Sequence, residues 1–354
     1  MKPLLKTALL LIPAILVSTS CKKSKDDGGG AQDDLQSEIL ANISANVCTA
    51  SYVDMADRTT KMQADINTFI GSGTEADLAT CRADWKAIRV TWEQTESWLF
   101  GPVEGDKIDP RIDSWPVNFN DLDGILANSD GLTESYVDGL EDELKGFHPI
   151  EYILWGKNGN RTAASFTARE KQYLVALTQN LVKLTQSVRD TWKNGYSQQL
   201  ATAGSGSTEF STKQAAFVQL VAAMADICGE VGDSKIKDPF DAQDASQEES
   251  PFAKNSFIDF TNNLLGTMDV YQGKFGGSDG KGLEDLVQAN NRSLDADIKA
   301  KYAAAVASLQ TFTVPFGQAI KSEPTKVQNA MDKISAYHDV LENQLNGFVL
   351  QYVK

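Results

Sequence analysis

Apolar residues recur at every third or fourth position along most of this chain, which is the spacing of an amphipathic helix. Stretches 298–320 and 327–352 follow it, and Pro315 is expected to kink the first of them. Stretches 35–70 and 74–100 predict two more long helices, separated by a break at 71–73. Another stripe consists of Tyr173, Leu177, Leu181, Leu184, Val188, Trp192 and Tyr196. Alternating β-branched runs, which would predict strands, are essentially missing, so the pattern predicts an all-α fold.

Small and polar residues divide these helices into two groups. The segment Ala203-Gly204-Ser205-Gly206-Ser207 is the best candidate for a linker between domains. We therefore predict two helical domains of the four-helix-bundle type, one over 35–203 and one over 208–354. Three stretches are expected to be irregular, namely an insertion at 101–131, a polar loop at 233–250 and a glycine-rich segment at 273–282.

The N-terminus predicts export. Lys2 and Lys6 precede a short apolar run, and Ser18-Thr19-Ser20-Cys21 resembles a relaxed bacterial lipobox. We expect residues 1–20 to be a lipoprotein signal peptide, Cys21 to carry the lipid, and residues 21–34 to form a flexible tether. The alternative is an ordinary secretory signal. With the lipid anchor, the protein would be attached to the outer membrane and would face either the periplasm or the cell exterior.

The composition narrows the chemistry. The chain has 354 residues with 48 acidic and 33 basic side chains, and its formal net charge is −15. This acidity argues against a nucleic-acid partner, because no basic stripe is available to contact phosphates. Two histidines in total nearly exclude a zinc enzyme built on several imidazoles. Cys48, Cys81 and Cys228 could form a disulfide in an oxidising compartment, but buried free thiols are the favoured interpretation.

One segment, 145–156, combines a histidine and a glutamate at helical spacing. Pro149 suits the start of a helix, which places His148 at its entry and Glu151 in its first turn. Residues three apart share a helix face, so the two side chains could meet one metal ion or each other. Gly146 would allow a sharp turn into the helix. The alternative is a structural hydrogen bond, and His338, in the C-terminal helix, is interpreted as a surface or packing residue.

Two further segments carry charge among aromatic residues. Trp85, Arg89, Trp92 and Glu96 share one face of the predicted helix 74–100, where Arg89 and Glu96 could simply pair. Segment 108–116, expected to be an ordered loop, carries the carboxylates Asp109 and Asp113 beside Trp115 and two prolines. These carboxylates could fold over a site, and the alternative is a packed surface loop with solvated carboxylates.

Together these segments resemble the imelysin-like family. Its GxHxxE hallmark is matched by Gly146, His148 and Glu151, and its Trp/Arg/Glu helix ending in Phe-Gly is similar to 85–101. Its Ile-Asp…Trp-Pro loop is similar to 108–116. A later Ser-Pro-Phe…Tyr-x-Gly pattern is similar to 250–252 and 271–273, although many relatives carry a histidine where this chain has Lys254.

The resemblance implies a two-domain, all-helical exported protein connected with iron acquisition, acting with an iron-transport partner in the membrane. It also implies a metal site in which Glu96 and Asp113, favoured over Asp109, join His148 and Glu151, with Glu93 a weaker candidate. Supporting residues of this pocket would be Gly146, Arg89, Trp92, Asp109 and Trp115.

One imidazole with two or three carboxylates suits iron first, and manganese and zinc are compatible. Metal affinity should fall as the pH drops through about 6.5, where a free imidazole protonates. The opposing hypothesis is a metallopeptidase with Glu151 as general base, which would leave His148 as the single nearby imidazole. A third interpretation is a pocket that binds an organic ligand or a partner protein without metal. We favour a binding protein over an enzyme.

Overall fold

The computed structural model describes residues 29–354, and these residues contain helices and turns but no β-strand. The predicted all-α fold is therefore confirmed. The predicted signal peptide 1–20 and the lipidation site Cys21 lie outside the described residues. The first helix begins at Gly29, so the last six positions of the predicted tether 21–34 are helical.

The first half begins with three long helices that follow the apolar stripes. Helix α1 continues through a π-helical turn into α2, which ends where Gly73 adopts a left-handed conformation. Helix α3 follows at once, because Thr74 accepts a hydrogen bond from the backbone N–H of Asp77 and caps it. The α-helices of this half are α1 Gly29–Asn42, α2 Ala50–Ser72, α3 Glu75–Thr95, α4 Pro102–Gly105, α5 Ile108–Asp113, α6 Phe119–Ala127, α7 Glu134–Asp138, α8 Phe147–Trp155, α9 Ala168–Thr191 and α10 Ser197–Ala201. Single π or 3₁₀ turns are Ile43–Thr49, Glu96–Trp98, Asp142–Leu144, Ala163–Ser165 and Trp192–Tyr196.

The second half contains eight more α-helices. They are α11 Lys213–Glu230, α12 Lys237–Ala242, α13 Ser256–Gln272, α14 Leu283–Asn290, α15 Arg292–Leu309, α16 Phe316–Ser322, α17 Pro324–Asp339 and α18 Asn346–Tyr352. Turns of π or 3₁₀ type are Val231–Ile236, Ala245–Gln247 and Val340–Leu345. The stretch Lys213–Ala242 is long and apolar enough to cross a membrane, yet 61% of its most apolar window is buried inside the protein, as in an ordinary core helix.

Three local predictions were wrong. Pro315 does not kink a continuous helix: α15 ends at Leu309, and Pro315 caps the separate helix α16. Most of the predicted polar loop 233–250 is helical, because α11 continues through a π turn into α12. The insertion 101–131, expected to be irregular, contains α4, α5 and α6, so the predicted ordered loop 108–116 begins with the short helix α5.

Helix packing brings the two halves together at α3. Helix α2 packs on α3 and α9 within the first half, and α15 packs on α17 within the second. Helix α13 of the second half lies against α3. Buried apolar side chains form one continuous cluster from Ile39 to Val353. Because the core is continuous, it does not mark a boundary at 203–208, and the division into separate bundles stays a prediction. The charged residues of α3 lie where the two halves meet.

The three cysteines of the described residues fit the favoured interpretation. Cys48, Cys81 and Cys228 are all buried and none forms a disulfide in the structure. Burial raises the pKa of the Cys81 thiol to about 12, so this sulfur stays protonated and unreactive at neutral pH.

Candidate metal centre

A close backbone contact at Gly146 places the start of α8 against the end of α5. Gly146 has φ +79°, a conformation that L side chains rarely adopt. A Cβ atom at this position would collide with the backbone carbonyl group of Ile112. Asp113 follows Ile112 directly, and His148 comes two residues after Gly146. The absence of a side chain at Gly146 therefore allows His148 and Asp113 to meet.

The imidazole of His148 is fully buried among carboxylates. Its Nε2 atom lies 3.1 Å from Oδ1 of Asp113 and 3.8 Å from Oε1 of Glu249. Its Nδ1 atom faces the other way, 3.7 Å from Oε2 of Glu151. Neither nitrogen makes a hydrogen bond of good geometry. The indole of Trp115 covers the ring, with 4.9 Å between the ring centroids.

Three donors converge on the Nε2 side of the imidazole. One ligand atom each from Asp113, His148 and Glu249 lies within 4.8 Å of the other two, close enough to hold one cation. Burial by itself raises the pKa of Asp113 and Glu249, but neighbouring cations outweigh it and hold both pKa values below their usual range. These two carboxylates are therefore ionised at neutral pH, and the oxygens that face His148, Oδ1 of Asp113 and Oε1 of Glu249, also pair with Arg89.

Protonation of His148 competes with a cation for the imidazole. Burial lowers the pKa of His148, but contact with Asp113 and Glu151 and the charge of Glu249 outweigh it and raise the pKa to about 9. A cation at Nε2 would compete with this proton up to about pH 9, well above the value of about 6.5 expected from the sequence.

Arg89 is the central cation of the surrounding network. Its guanidinium is fully buried and pairs with Asp113 and Glu93, lies 2.6 Å from Oε1 of Glu249, and lies 3.5 Å from Oδ1 of Asp259. Burial would lower the pKa of Arg89, but these carboxylates raise it well above its ordinary value. The alternative in which Arg89 simply pairs with Glu96 does not hold, because Glu93, one turn after Arg89, pairs with it.

Lys235, from the π turn after α11, is the second cation. Its ammonium lies 2.8 Å from Oε2 of Glu96, 3.4 Å from Oε2 of Glu93 and 3.8 Å from Oε2 of Glu249. Asn263 of α13 also donates hydrogen bonds to Glu93 and Glu96. Burial, together with the charge of Glu93, raises the pKa of Glu96 well above its usual range.

Acidic groups outnumber cations in this network. Seven carboxyl groups lie around His148 and the two permanent cations, Arg89 and Lys235, and the seven are Glu93, Glu96, Asp113, Glu151, Glu230, Glu249 and Asp259. Buried charges without partners are costly, so protons or a bound cation must neutralise this excess. The donor set and the charge excess therefore both fit a metal ion at His148.

A cavity of about 460 Å³ opens onto this network. Asp113, Glu249 and Glu96 line it, and Lys235 is the single basic residue of its wall. The other lining residues are Asp109, Trp115, Pro116, Glu230, Ser234, Asp238, Pro239 and Gln247. Burial and the nearby charge of Asp113 raise the pKa of Asp109 to about 7. This lining attracts cations and repels anions.

Glu151 lies on the far side of the imidazole from the cavity. The side chain is fully buried, and its Oε1 atom accepts hydrogen bonds from the backbone N–H groups of Phe252, at 2.9 Å, and Ala253, at 2.6 Å. Pro149, expected at the first helical position, is the third residue of α8 and still needs no intrahelical hydrogen bond.

The sequence-predicted residues lie on one network, but they do not all contact His148. His148 and Asp113 meet, Glu96 lies beside Lys235 on the same cavity, and Glu93 contacts Arg89. Trp92 donates a hydrogen bond of 2.6 Å from Nε1 to Oδ2 of Asp113. The ligand roles predicted for His148, Glu151, Glu96 and Asp113 stay predictions, as do the supporting roles of Gly146, Arg89, Trp92, Asp109 and Trp115.

Three participants were missed by sequence reasoning: Lys235, Glu249 and Asp259. Glu249 stands directly before the Ser-Pro-Phe pattern at 250–252, and that adjacency was the available signal. The second histidine, His338, lies on α17 with its side chain 24% exposed, near Asp339 and Glu342. This position agrees with its interpretation as a surface or packing residue.

Fold and site together define an all-helical protein with a buried histidine–carboxylate cluster where its two halves meet. The Imelysin family model matches residues 48–343 of this chain, so the chain belongs to the imelysin family. Iron-regulated protein A of Synechococcus elongatus is 28% identical over 325 residues, covering 90% of this chain and 88% of the relative.

Two solved structures share the fold. One is a protein assigned as an iron-regulated protein A precursor from Parabacteroides distasonis, with a TM-score of 0.81, 24% identity, and coverage of 91% of this chain and 95% of that one. The other is an imelysin-like protein from Psychrobacter arcticum, with a TM-score of 0.72, 13% identity, and coverage of 88% and 94%. At these identities the likeness shows the fold alone.

Proposed function

We propose that this protein binds a metal ion through His148, Asp113 and Glu249 and serves iron acquisition as an exported, lipid-anchored protein. The observation that carries the proposal is the buried imidazole whose Nε2 lacks a hydrogen bond while two ionised carboxylates converge on it. Nε2 lies 3.1 Å from Oδ1 of Asp113 without the geometry of a hydrogen bond, and a metal ion would engage the imidazole and both carboxylates at once.

Iron is the expected metal. One imidazole and two carboxylates suit hard-to-borderline divalent and trivalent ions, with manganese and zinc as competitors. The name of the Synechococcus relative, an iron-regulated protein, supports iron among these. The acidic lining of the cavity favours the hydrated ion over a negatively charged chelate. The ion would be the cargo of this protein, so an open cavity beside the ligands suits uptake and release.

The peptidase alternative finds little support in the position of Glu151. A general base must reach the proton it abstracts, directly or through one water. Glu151 does not line the cavity, and one of its oxygens already accepts two backbone hydrogen bonds. A cleavage assay on casein decides this point: proteolysis by the purified protein that is lost in His148→Ala would revive the peptidase.

A metal titration by calorimetry tests the proposed site. Iron(II) under anaerobic conditions, manganese and zinc would each be titrated into the purified protein and into His148→Ala, Asp113→Asn and Glu249→Gln. We expect one ion per chain in the wild type and a loss of at least about tenfold in affinity for each variant. His338→Ala is the matched control: it removes the imidazole of a second, more exposed cluster with Asp339 and Glu342, and it should leave binding at His148 unchanged. Absence of binding in the wild type would overturn the proposal.

The membrane anchor is tested separately. Cys21→Ser should abolish incorporation of labelled fatty acid and release the protein from the membrane fraction. Cys48→Ser, at a buried thiol, is the control and should remain lipidated. An unlipidated wild-type protein would leave an ordinary secretory signal in place of the anchor. Protease treatment of intact cells would then distinguish the periplasmic face from the cell surface, and co-purification would identify a membrane transport partner.

A further inference from the structure

The loop between α12 and α13 brings a candidate ligand from the second half to a histidine of the first. Glu249 lies in this loop, which spans residues 248–255, and only Ser250 and Pro251 separate it from Phe252. The hydrogen bonds from the N–H groups of Phe252 and Ala253 to Glu151 fasten the loop to α8. Fixing the backbone at Phe252 and Ala253, directly after the Ser-Pro pair, also restricts where Glu249 can lie.

Beyond the contacts of Glu249 and Glu151, the polar contacts of the loop lie within its own half, and the ring of Phe252 packs against the first-half rings of Trp115, Phe119 and Tyr152. The Ser250 hydroxyl donates to Oδ2 of Asp259 at 2.6 Å, and its N–H donates to Oγ of Ser256 at 3.1 Å. Glu248 accepts hydrogen bonds from Ser256 and from the N–H of Gly317. Across to the first half, the polar contacts of the loop are those of Glu249, with Arg89 and His148, and the two backbone bonds to Glu151.

The geometry also separates Glu151 from the candidate ion. The two imidazole nitrogens point in diverging directions, and the ion would lie on the Nε2 side with Asp113 and Glu249. Oε2 of Glu151 faces Nδ1 at 3.7 Å, which is too long for a hydrogen bond. Its Oε1 atom is engaged by two N–H groups. Oε2 has no hydrogen-bond partner, but it faces Nδ1 and not the Nε2 side, where Asp113 and Glu249 converge.

We infer that Glu151 is a positioning residue, which ties loop 248–255 to α8 and so places Glu249 against His148, and that it is not a metal ligand. The part of this inference that concerns metal binding rests on the proposed function. Its structural part, the attachment of the loop, stands on the hydrogen bonds alone.

Three substitutions separate the two roles. Glu151→Gln keeps an oxygen that accepts both N–H groups but removes the charge that a metal ligand supplies. Glu151→Asp keeps the charge but withdraws the oxygen by one methylene, beyond hydrogen-bond reach of the loop. Glu151→Ala removes both. A positioning role predicts that Gln is tolerated and Asp is not, whereas a ligand role predicts the reverse order.

The first readout needs no metal. Backbone amide hydrogen exchange at Phe252 and Ala253 should be unchanged in Glu151→Gln and at least about tenfold faster in the Asp and Ala variants, because their amides lose a buried acceptor. Amides of α15, remote from the loop, serve as the internal control for global folding. Equal protection of the two loop amides in all four proteins would overturn the attachment.

The second readout is manganese affinity by calorimetry. We expect Glu151→Gln to stay within about threefold of the wild type and the Asp and Ala variants to lose at least about tenfold. Better binding by Asp than by Gln would overturn the positioning role and make Glu151 a ligand. If the wild type bound no metal, the proposed function would fail while the exchange measurement still decided the attachment of the loop.

Discussion

At the scale of single residues, the site depends on a glycine that no side chain can replace. Gly146→Ala would force a left-handed conformation on an alanine and push the start of α8 away from Ile112 and Asp113. We expect a loss of at least about 3 kcal/mol in the free energy of unfolding, from backbone strain and steric overlap. Metal affinity should fall as His148 separates from Asp113. Urea denaturation and metal titration measure the two effects.

Gly195→Ala is the matched control for this prediction. Gly195 lies in a helical turn, has no left-handed φ, and has open space where a Cβ would be placed. Alanine there should leave stability unchanged or raise it by up to about 1 kcal/mol. If Gly146→Ala behaved like this control, the close contact between α5 and α8 would not be a determinant of the site.

Individual residues of the site differ in how far sequence could predict them. His148 and Glu151 stand out because histidine is rare in this chain and the spacing is helical. Arg89 and Glu96 were also placed on one face of a helix, but the carboxylate that pairs with Arg89 within this helix is Glu93 and not Glu96. Which carboxylate reaches a buried guanidinium depends on the neighbouring helices, and periodicity within one helix cannot show it.

At the scale of helices, local signals fixed most boundaries. The long stripes, the glycine–serine break after α2 and the proline before α16 all correspond to real helix ends. Stretch 233–250 failed because it is polar, yet a π turn continues α11 and carries Lys235 into the site. Polarity alone does not predict a loop, because most polar residues of this stretch are exposed on helical turns while Lys235 and Glu249 reach the cavity.

The cap of α3 gives a prediction at this scale. Thr74 accepts the first backbone hydrogen bond of the helix that holds Arg89, Glu93 and Glu96. Thr74→Ala should cost about 1 kcal/mol, because it leaves a helix N–H group without a partner. Thr80→Ala is the control: Thr80 is exposed in the interior of the same helix, and alanine should be neutral or slightly stabilising there. Chemical denaturation compares the pair. Equal stabilities would contradict a capping role for Thr74.

At the scale of the whole molecule, the site exists only because distant segments converge. His148, Asp113 and Arg89 come from the first half, whereas Glu249, Lys235 and Asp259 come from the second. Each segment is recognisable alone, but their meeting depends on α13 packing against α3, a contact between residues more than a hundred positions apart in sequence. Periodicity and motifs along the sequence therefore predict the fold class and the three first-half residues of the cluster, but not the three from the second half.

The pH dependence of global stability can be tested away from this cluster, at Asp269 of α13. Burial alone raises the pKa of Asp269 from 3.8 to about 7. The folded protein therefore holds a proton that the unfolded chain releases between these values, so this carboxyl group makes folding less favourable as the pH rises from about 4 to about 7. Above that range both states are ionised, and the effect is constant.

Asp269→Asn removes this dependence, because asparagine stays neutral at every pH. The advantage of the variant over the wild type in free energy of unfolding should grow between pH 5 and pH 8 by something on the order of 2 kcal/mol, allowing for partial exposure. Urea denaturation at the two pH values measures it. Asp332→Asn, at an exposed position, should show the same difference at both. A variant whose advantage shrank with rising pH would mean that Asp269 is held ionised in the folded protein.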